Sequence, residues 1–195
     1  MRLALAAALA AALTACAPEA PPQPPAPQTV ASGWPQDLAE WGQLAAGGGR
    51  LVLGEAVTPY ALNTALFSDY ALKLRTVWIP DGAGPAQYDD VDAFAFPVGS
   101  VITKTFYYPR NGESLTEVRA DGAPMAHFDG RRLDLEAVRL VETRILVRRG
   151  EGWDAASYVW DDDQRSAQLA RTGAFVDLTL VSASGDAETL DYLVP

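Results

Sequence analysis

The stretch Phe94-Ala-Phe-Pro-Val-Gly-Ser-Val-Ile-Thr-Lys-Thr-Phe-Tyr-Tyr-Pro109 is the longest run of β-branched and aromatic residues in the chain. Its residues 100–108 predict one strand, because successive side chains of a strand point to opposite faces. One face carries Val101, Thr103, Thr105 and Tyr107. The other carries Ile102, Lys104, Phe106 and Tyr108. Both faces are largely apolar or amphipathic, which indicates a central strand with neighbours on both edges and covering layers on both faces.

Strands and turns alternate through most of the remaining chain. Further strands are predicted at residues 51–53, 72–79, 115–118, 138–148, 153–160, 175–182 and 189–194. In the 138–148 strand, the alternation predicts a more apolar face formed by Val141, Thr143, Ile145 and Val147. Two short helices are predicted at residues 32–46 and 161–171. We therefore expect a mainly β fold of the α+β class, with a largely antiparallel sheet and one or two short peripheral helices.

The N-terminus has the pattern of a bacterial lipoprotein signal peptide. An apolar run at residues 3–13 follows Met1-Arg2, and small residues precede Cys16. The run is too short to span a bilayer and has the length of a signal-peptide core. In lipoproteins of this type the cysteine becomes the acylated first residue of the mature chain, so we expect lipidation at Cys16. The alternative is an ordinary secretory signal that ends near a cysteine.

The sequence divides into three predicted parts. Residues 1–15 form the signal peptide, residues 16–31 a proline-rich tether, and residues 32–195 a single β-rich domain. The tether composition favours an extended arm of roughly 3 Å per residue. A neutral residue after the cysteine, here Ala17, usually implies the outer membrane. We expect a domain held by its lipid on the periplasmic side of the bacterial outer membrane.

Composition and motifs argue against several classes of function. The formal net charge of -10 argues against nucleic-acid binding, which needs a basic face. The chain has one histidine, one cysteine and no Gly-x-Ser-x-Gly motif, and Gly47-Gly-Gly49 lacks the partners of a phosphate-binding loop. The sequence therefore supports no enzyme class and no catalytic residue.

Four motifs follow one another between residues 60 and 161. They are Tyr60-Ala-Leu-Asn-Thr-Ala-Leu-Phe-Ser-Asp-Tyr-Ala-Leu-Lys-Leu-Arg75, Phe96-Pro-Val-Gly-Ser-Val-Ile-Thr-Lys-Thr-Phe-Tyr-Tyr108, Glu142-Thr-Arg-Ile-Leu-Val-Arg148 and Gly152-Trp-Asp-Ala-Ala-Ser-Tyr-Val-Trp-Asp161. Together they resemble the N-terminal region of a family of bacterial periplasmic dihaem c-type cytochromes. The resemblance covers roughly residues 60–195. In that family, the segment matching residues 191–195 leads into an Asn-rich linker and a Cys-x-x-Cys-His haem-attachment motif.

The haem-attachment motif is absent from this sequence, which ends at Pro195. Covalent haem attachment needs two thiols and an adjacent histidine, so we expect no cofactor in this chain. The chain is then either a truncated or domain-only form or a protein that works beside a separate haem protein. The resemblance implies a non-catalytic structural or docking module that serves electron transfer. The alternative is a small-ligand or noncovalent haem-binding β-domain.

A few residues are candidates for cofactor or metal sites. His127, near Met125, could ligate haem, or it could be a surface-loop histidine. Lys104 matches, in a fainter resemblance, the lysine position of β-rich cytochromes that cross-link haem to lysine. The acidic clusters could hold calcium or form solvated turns; they are Asp161, Asp162 and Asp163, and Asp89, Asp90 and Asp92. The aromatics that could line a pocket or form a plain core are Trp78, Phe106, Tyr108, Tyr158 and Trp160.

Overall fold

A computed structural model describes residues 20–195 of the chain. These residues form twelve strands and one short 3₁₀ helix, Leu38–Trp41. The strands are β1 Leu44–Gly47, β2 Arg50–Leu53, β3 Thr58–Tyr60, β4 Leu72–Trp78, β5 Val101–Pro109, β6 Glu117–Arg119, β7 Arg132–Asp134, β8 Val138–Arg148, β9 Trp153–Trp160, β10 Ala167–Leu169, β11 Ala174–Val181 and β12 Ala187–Val194. The predicted signal peptide and Cys16 lie outside the described residues. Within 20–195, no helix is long and apolar enough to cross a membrane.

The fold is mainly β, and its largest sheet is antiparallel with the strand order β10-β9-β8-β5-β4-β3. The predicted central strand is confirmed, since β5 pairs with β4 on one edge and with β8 on the other. The predicted antiparallel pair β8–β9 is confirmed as well. Alternation along β4 is regular, with every second side chain buried from Leu72 to Trp78.

Two smaller sheets cover the large sheet from opposite faces. The sheet β1-β2-β7 and the 3₁₀ helix form a first core with Leu74, Val101 and Ile145 of the large sheet. The sheet β12-β11-β6, in which β6 runs parallel to β11, forms a second core with Phe106 and Tyr108. The alternation of β5 thus divides its side chains between two cores.

A bulge in β8 corrects the predicted face of that strand. The register with β5 passes from Phe106↔Glu142 to Tyr107↔Leu140, which leaves Val141 without an opposite residue. The extra residue of a bulge puts two neighbouring side chains on one side of the sheet. Leu140 therefore joins the first core, and Val141 joins the second core instead of the face of Thr143 and Ile145.

The helix predicted at residues 32–46 is much shorter in the structure, and the helix predicted at residues 161–171 is not formed. Of residues 32–46, only Leu38–Trp41 is helical, because Gly42 adopts a left-handed φ of 66° and β1 then pairs with β2. Trp41 donates a hydrogen bond to the Tyr158 hydroxyl at 2.9 Å, which fixes the short helix on the large sheet. In residues 161–171, strand β10 forms instead of a helix and extends the large sheet beyond β9.

The proline-rich segment is in contact with the domain from Pro22 onward. Gln28 pairs with the Trp41 carbonyl through its main-chain amide, and the Thr29 hydroxyl donates to the Gly99 carbonyl at 2.8 Å. A Cβ at Gly42 would overlap the main chain of Ala26, and one at Gly99 would come too close to the Thr29 hydroxyl. Residues 22–30 therefore form a strap along the domain, with Pro22 beside the β1–β2 turn.

A buried carboxylate of β8 forms an ion pair within its own strand and a hydrogen bond to β12. The Glu142 side chain is fully buried and accepts two hydrogen bonds from Arg144, at 2.9 and 2.6 Å. The Tyr192 hydroxyl of β12 donates a third hydrogen bond to Glu142 at 2.7 Å. Burial beside the Glu142 carboxylate raises the pKa of Tyr192 far above its usual range. Tyr192 therefore remains a hydrogen-bond donor over the whole accessible pH range.

We expect the Tyr192→Phe substitution to lower the free energy of unfolding by about 1.5–3 kcal/mol, the contribution of a hydrogen bond to a charged group. The measurement is urea unfolding followed by tryptophan fluorescence. The matched control is Tyr88→Phe, which removes a hydroxyl from a side chain that is 76% exposed and should change little. Equal stability of the two variants would contradict the assigned contribution of Tyr192.

Candidate functional site

The face of the large sheet that contacts β11 and β12 is covered only in part. Phe106 is buried by the second core, whereas the side chains at Ile102 and Lys104 of the same strand face are half-exposed. On the neighbouring strands, Val77 of β4 and Leu146 of β8 stand opposite Ile102 and are also half-exposed. The open face is thus a partly solvated surface of the sheet, and it carries the candidate site.

Three cationic residues stand side by side across this open face. Lys104 of β5 is directly opposite Arg75 of β4 and directly opposite Arg144 of β8. Neighbouring strands lie about 4.8 Å apart, so the three residues form one row that spans roughly 10 Å. We call Arg75, Lys104 and Arg144 the cationic row. Lys73 of β4, opposite Phe106, adds a fourth positive charge next to it.

The charged groups converge on the Phe106 ring. The Lys104 Nζ atom lies 4.9 Å from the ring centroid, and the Lys73 Nζ atom lies 5.9 Å from it. The Arg144 guanidinium carbon lies 4.6 Å from the same centroid. Aromatic rings attract cations through their negative faces, which offsets part of the repulsion between these groups. Phe106 thus contacts three of the four cations, Lys73, Lys104 and Arg144.

The positive charge of the row is poorly neutralised. Arg144 is paired with Glu142, but the side chains of Arg75 and Lys104 have no hydrogen bond or ion pair with another residue of the described chain. Burial and the adjacent Arg144 and Arg75 lower the pKa of Lys104. Burial, Arg75 and Lys104 lower the pKa of Lys73 in the same way.

Placing these like charges side by side lowers the free energy of unfolding, but it leaves cationic donors available to an anion. Like charges directly opposite each other across a sheet are destabilising, and the chain as a whole is acidic, with a net charge of -10. Arrangements that break a local rule of stability are expected at functional sites. Guanidinium and ammonium groups without protein partners can donate hydrogen bonds to carboxylates or phosphates. The cationic row is therefore a candidate site for an anionic partner.

Exposed aromatic residues continue the open face toward the β8–β9 turn. Trp153 contacts Phe96, with 5.8 Å between ring centroids, and Phe94 and Tyr88 extend the chain of ring contacts. Phe94 is 52% exposed and Tyr88 is 76% exposed. We call Tyr88, Phe94, Phe96 and Trp153 the aromatic end. Clusters of exposed aromatic residues are typical of interaction surfaces.

The structure separates the sequence-predicted candidates from one another. Lys104 lies at the centre of the cationic row. His127 is exposed on the opposite side of the large sheet, in a surface depression with Arg50 and Asp134 of the β1-β2-β7 sheet. The two candidates therefore do not share a site.

Asp161, Asp162 and Asp163 also have separate surroundings. The Asp161 carboxylate accepts hydrogen bonds from the amides of Arg165 and Ser166 and from the Ser166 hydroxyl, so it organises the turn before β10. Asp162 pairs with Arg139 at 2.9 Å, and Asp163 is exposed. In residues 20–195, no group of three or more His, Cys, Asp or Glu side chains is arranged to hold a metal ion.

The five aromatics considered for a ligand pocket are divided between the two cores. Trp78, Tyr158 and Trp160 belong to the first core, and Phe106 and Tyr108 belong to the second. The interpretation as a plain core is confirmed for all five. Sequence reasoning missed Arg75 and Arg144 as site residues. Both were placed on predicted strands, but only the pairing register reveals that they flank Lys104.

We expect Lys104→Met to stabilise the fold by roughly 0.2–1 kcal/mol, the range for a partly screened like-charge pair across a sheet. Methionine keeps an apolar stem over Phe106 and removes the charge. The measurement is urea unfolding at pH 7, with Arg131→Met as the control for loss of an exposed cation elsewhere.

The difference between the wild type and Lys104→Met should shrink at high pH. The pKa of Lys104 is lower in the folded state than its ordinary value of 10.5, so the unfolded state binds the proton more tightly. The cost of the charge is therefore fully present at neutral pH, begins to fall as the pH reaches the lowered pKa, and is gone once the pH exceeds the unfolded-state value of 10.5. A gap that stays constant to pH 11, or a destabilised variant at pH 7, would contradict the electrostatic assignment.

Comparison with protein-family models, with curated proteins and with solved structures finds no match for this chain. Function is therefore inferred from the cationic row and its surroundings, together with the sequence motifs.

Proposed function

We propose that the chain is a lipid-anchored, non-catalytic docking module of the periplasm, which binds the anionic surface of a haem-bearing cytochrome module and serves electron transfer by holding it near the membrane. The observation that carries this proposal is the cationic row, in which the side chains of Arg75 and Lys104 have no hydrogen bond or ion pair within residues 20–195 and lie on an open sheet face. The row can contact carboxylates of a partner, and the aromatic end supplies apolar contact area beside it.

The sequence motifs support the choice of partner. The three residues of the cationic row and Trp153 lie in the four motifs that resemble the cytochrome family: Arg75 in the first, Lys104 in the second, Arg144 in the third and Trp153 in the fourth. In the resembled family, a haem module follows this region of the chain. We therefore assign the binding of such a haem module to the open face, whether the module is a separate protein or a continuation of the chain.

Charge distribution supports docking by electrostatic attraction. The overall charge of -10 repels anionic partners in general, and only a local concentration of cations offers them an attractive approach. Such contacts set orientation and association rate more than affinity, and salt weakens them because the Debye length is about 8 Å at physiological ionic strength. Docking through the cationic row should therefore be transient and sensitive to salt.

The strap defines how close the domain lies to its anchor. If Cys16 carries a lipid, only residues 17–21 separate it from Pro22, where contact with the domain begins. Even a fully extended chain from Cys16 to Pro22, six residue steps, spans at most about 22 Å. The domain would then remain close to the membrane surface, and a bound cytochrome module would stay within a small volume around the anchor.

We expect Cys16→Ser to abolish incorporation of labelled palmitate and to move the protein from the detergent-extracted membrane fraction to the soluble fraction, because a hydroxyl cannot take the thioether-linked lipid. The measurement is metabolic labelling followed by immunoprecipitation and fractionation. Lys104→Met, which leaves the N-terminus unchanged, is the control and should be labelled normally. A wild-type chain that is unlabelled and soluble would contradict the anchor.

Docking is tested by photo-crosslinking in the cells that produce the protein. A benzoylphenylalanine at Ile102, beside the cationic row, should give an adduct that stains for haem, and the same probe at exposed Glu188 of β12 should not. Replacing both Arg75 and Lys104 by glutamine should reduce the adduct at least about fivefold, since both unpaired charges are lost. Adducts without haem, or equal adducts from both positions, would contradict the proposed partner.

A further inference from the structure

A hollow of about 500 Å³ lies on the side of Arg144 away from Lys104, and it is lined by residues from both faces of the large sheet. Its lining comes from β8, β9, the end of β10 and the segment after it, together with Trp34 and Pro195. The residues used below are Arg144, Leu146, Ala155, Ser157, Leu169 and Arg171. The volume lies within the range of about 300–1,000 Å³ that is typical of small-molecule sites.

The hollow exists because β9 carries small side chains where its neighbours carry large ones. Ala155 and Ser157 stand opposite Leu146 and Arg144 of β8, between the bulky Trp153 and Val159 of the same strand face. Beyond β9, Ala170 is again small, and its amide pairs with the Ser157 carbonyl. A depression with an apolar floor results at the level of Ala155 and Ser157.

The polar side chains around this floor are all hydrogen-bond donors. Two guanidinium groups, those of Arg144 and Arg171, border the hollow, and none of its described lining side chains is acidic. Pro195, the last residue of the printed sequence, borders it as well. Arg171 and the Ser157 hydroxyl have no side-chain hydrogen bond or ion pair within the described chain. Arg144, Arg171 and Ser157 therefore supply donors at the border of an apolar depression in a protein that is otherwise rich in carboxylates.

We propose that this hollow binds an amphipathic carboxylate, a small molecule with one carboxylate group and an extended apolar body. The carboxylate accepts hydrogen bonds from Arg171, Arg144 and the Ser157 hydroxyl, as guanidinium groups favour carboxylate geometry. The apolar body lies over Ala155 and Leu146 and reaches Leu169. This site goes beyond the docking function, because it depends on Arg171 and β9 and needs neither Arg75 nor Lys104.

The test is calorimetric titration of the full-length protein with decanoate, decanol and decyltrimethylammonium, each below its micelle concentration. Decanoate should bind saturably, and the neutral and cationic analogues at least about tenfold more weakly, because they lack the charge-assisted hydrogen bonds. Arg171→Gln should weaken decanoate binding by about tenfold or more. Ala155→Leu should remove binding by filling the hollow, while the exposed control Arg131→Gln should leave it unchanged.

Several outcomes overturn the proposal. Equal binding of all three probes would mean nonspecific apolar adsorption, and unchanged decanoate affinity in Arg171→Gln would remove the assigned anchor. Ala155 is exposed, so its leucine variant should fold, and an unchanged thermal transition verifies this. Arg75→Gln and Lys104→Gln should retain decanoate binding even where cytochrome crosslinking is lost, so failure of the docking function and failure of this site are distinguishable.

Discussion

The packing of the β12-β11-β6 sheet on the large sheet depends on the hydrogen bonds to the buried carboxylate of Glu142. A charged group removed from water is costly unless donors surround it, and removing one partner of a buried ion pair is strongly destabilising. Arg144 and Tyr192 supply those donors from two different sheets. The same Arg144 stacks on Phe106 and forms one end of the cationic row. Arg144 thus balances the charge of Glu142 in the buried layer and is also one of the three cations of the candidate site.

Much of the large sheet could be predicted from the two-residue alternation of its strands. The predicted faces of β5 are confirmed, since Val101 and Tyr107 lie in the first core and Phe106 and Tyr108 lie in the second. The face of Val141 could not be predicted, because a bulge depends on the partner strand and leaves no mark in the alternation. The helix predicted over residues 32–46 is wrong in extent for a tertiary reason. Residues 44–47 pair along their whole length with β2, and this pairing outweighs the local helix preference of Leu44, Ala45 and Ala46.

The candidate site was only partly accessible to sequence reasoning. Lys104 was identified through a resemblance, and its strand face was predicted correctly. Arg75 and Arg144 lie 29 and 40 residues away from it in the chain, so their proximity depends on strand register, which turn lengths and burial determine jointly. The hollow beside Arg144 depends in addition on side-chain size on three neighbouring segments. Such properties arise only when strands are placed side by side.

The path of the strap determines which part of the domain lies nearest to Cys16. It meets the molecule beside the β1–β2 turn at Gly47 and follows it to Gly99, next to the loop that holds the aromatic end. A lipid on Cys16 would therefore lie at the Gly47 end of the strap, and the Gly99 loop would lie at its other end.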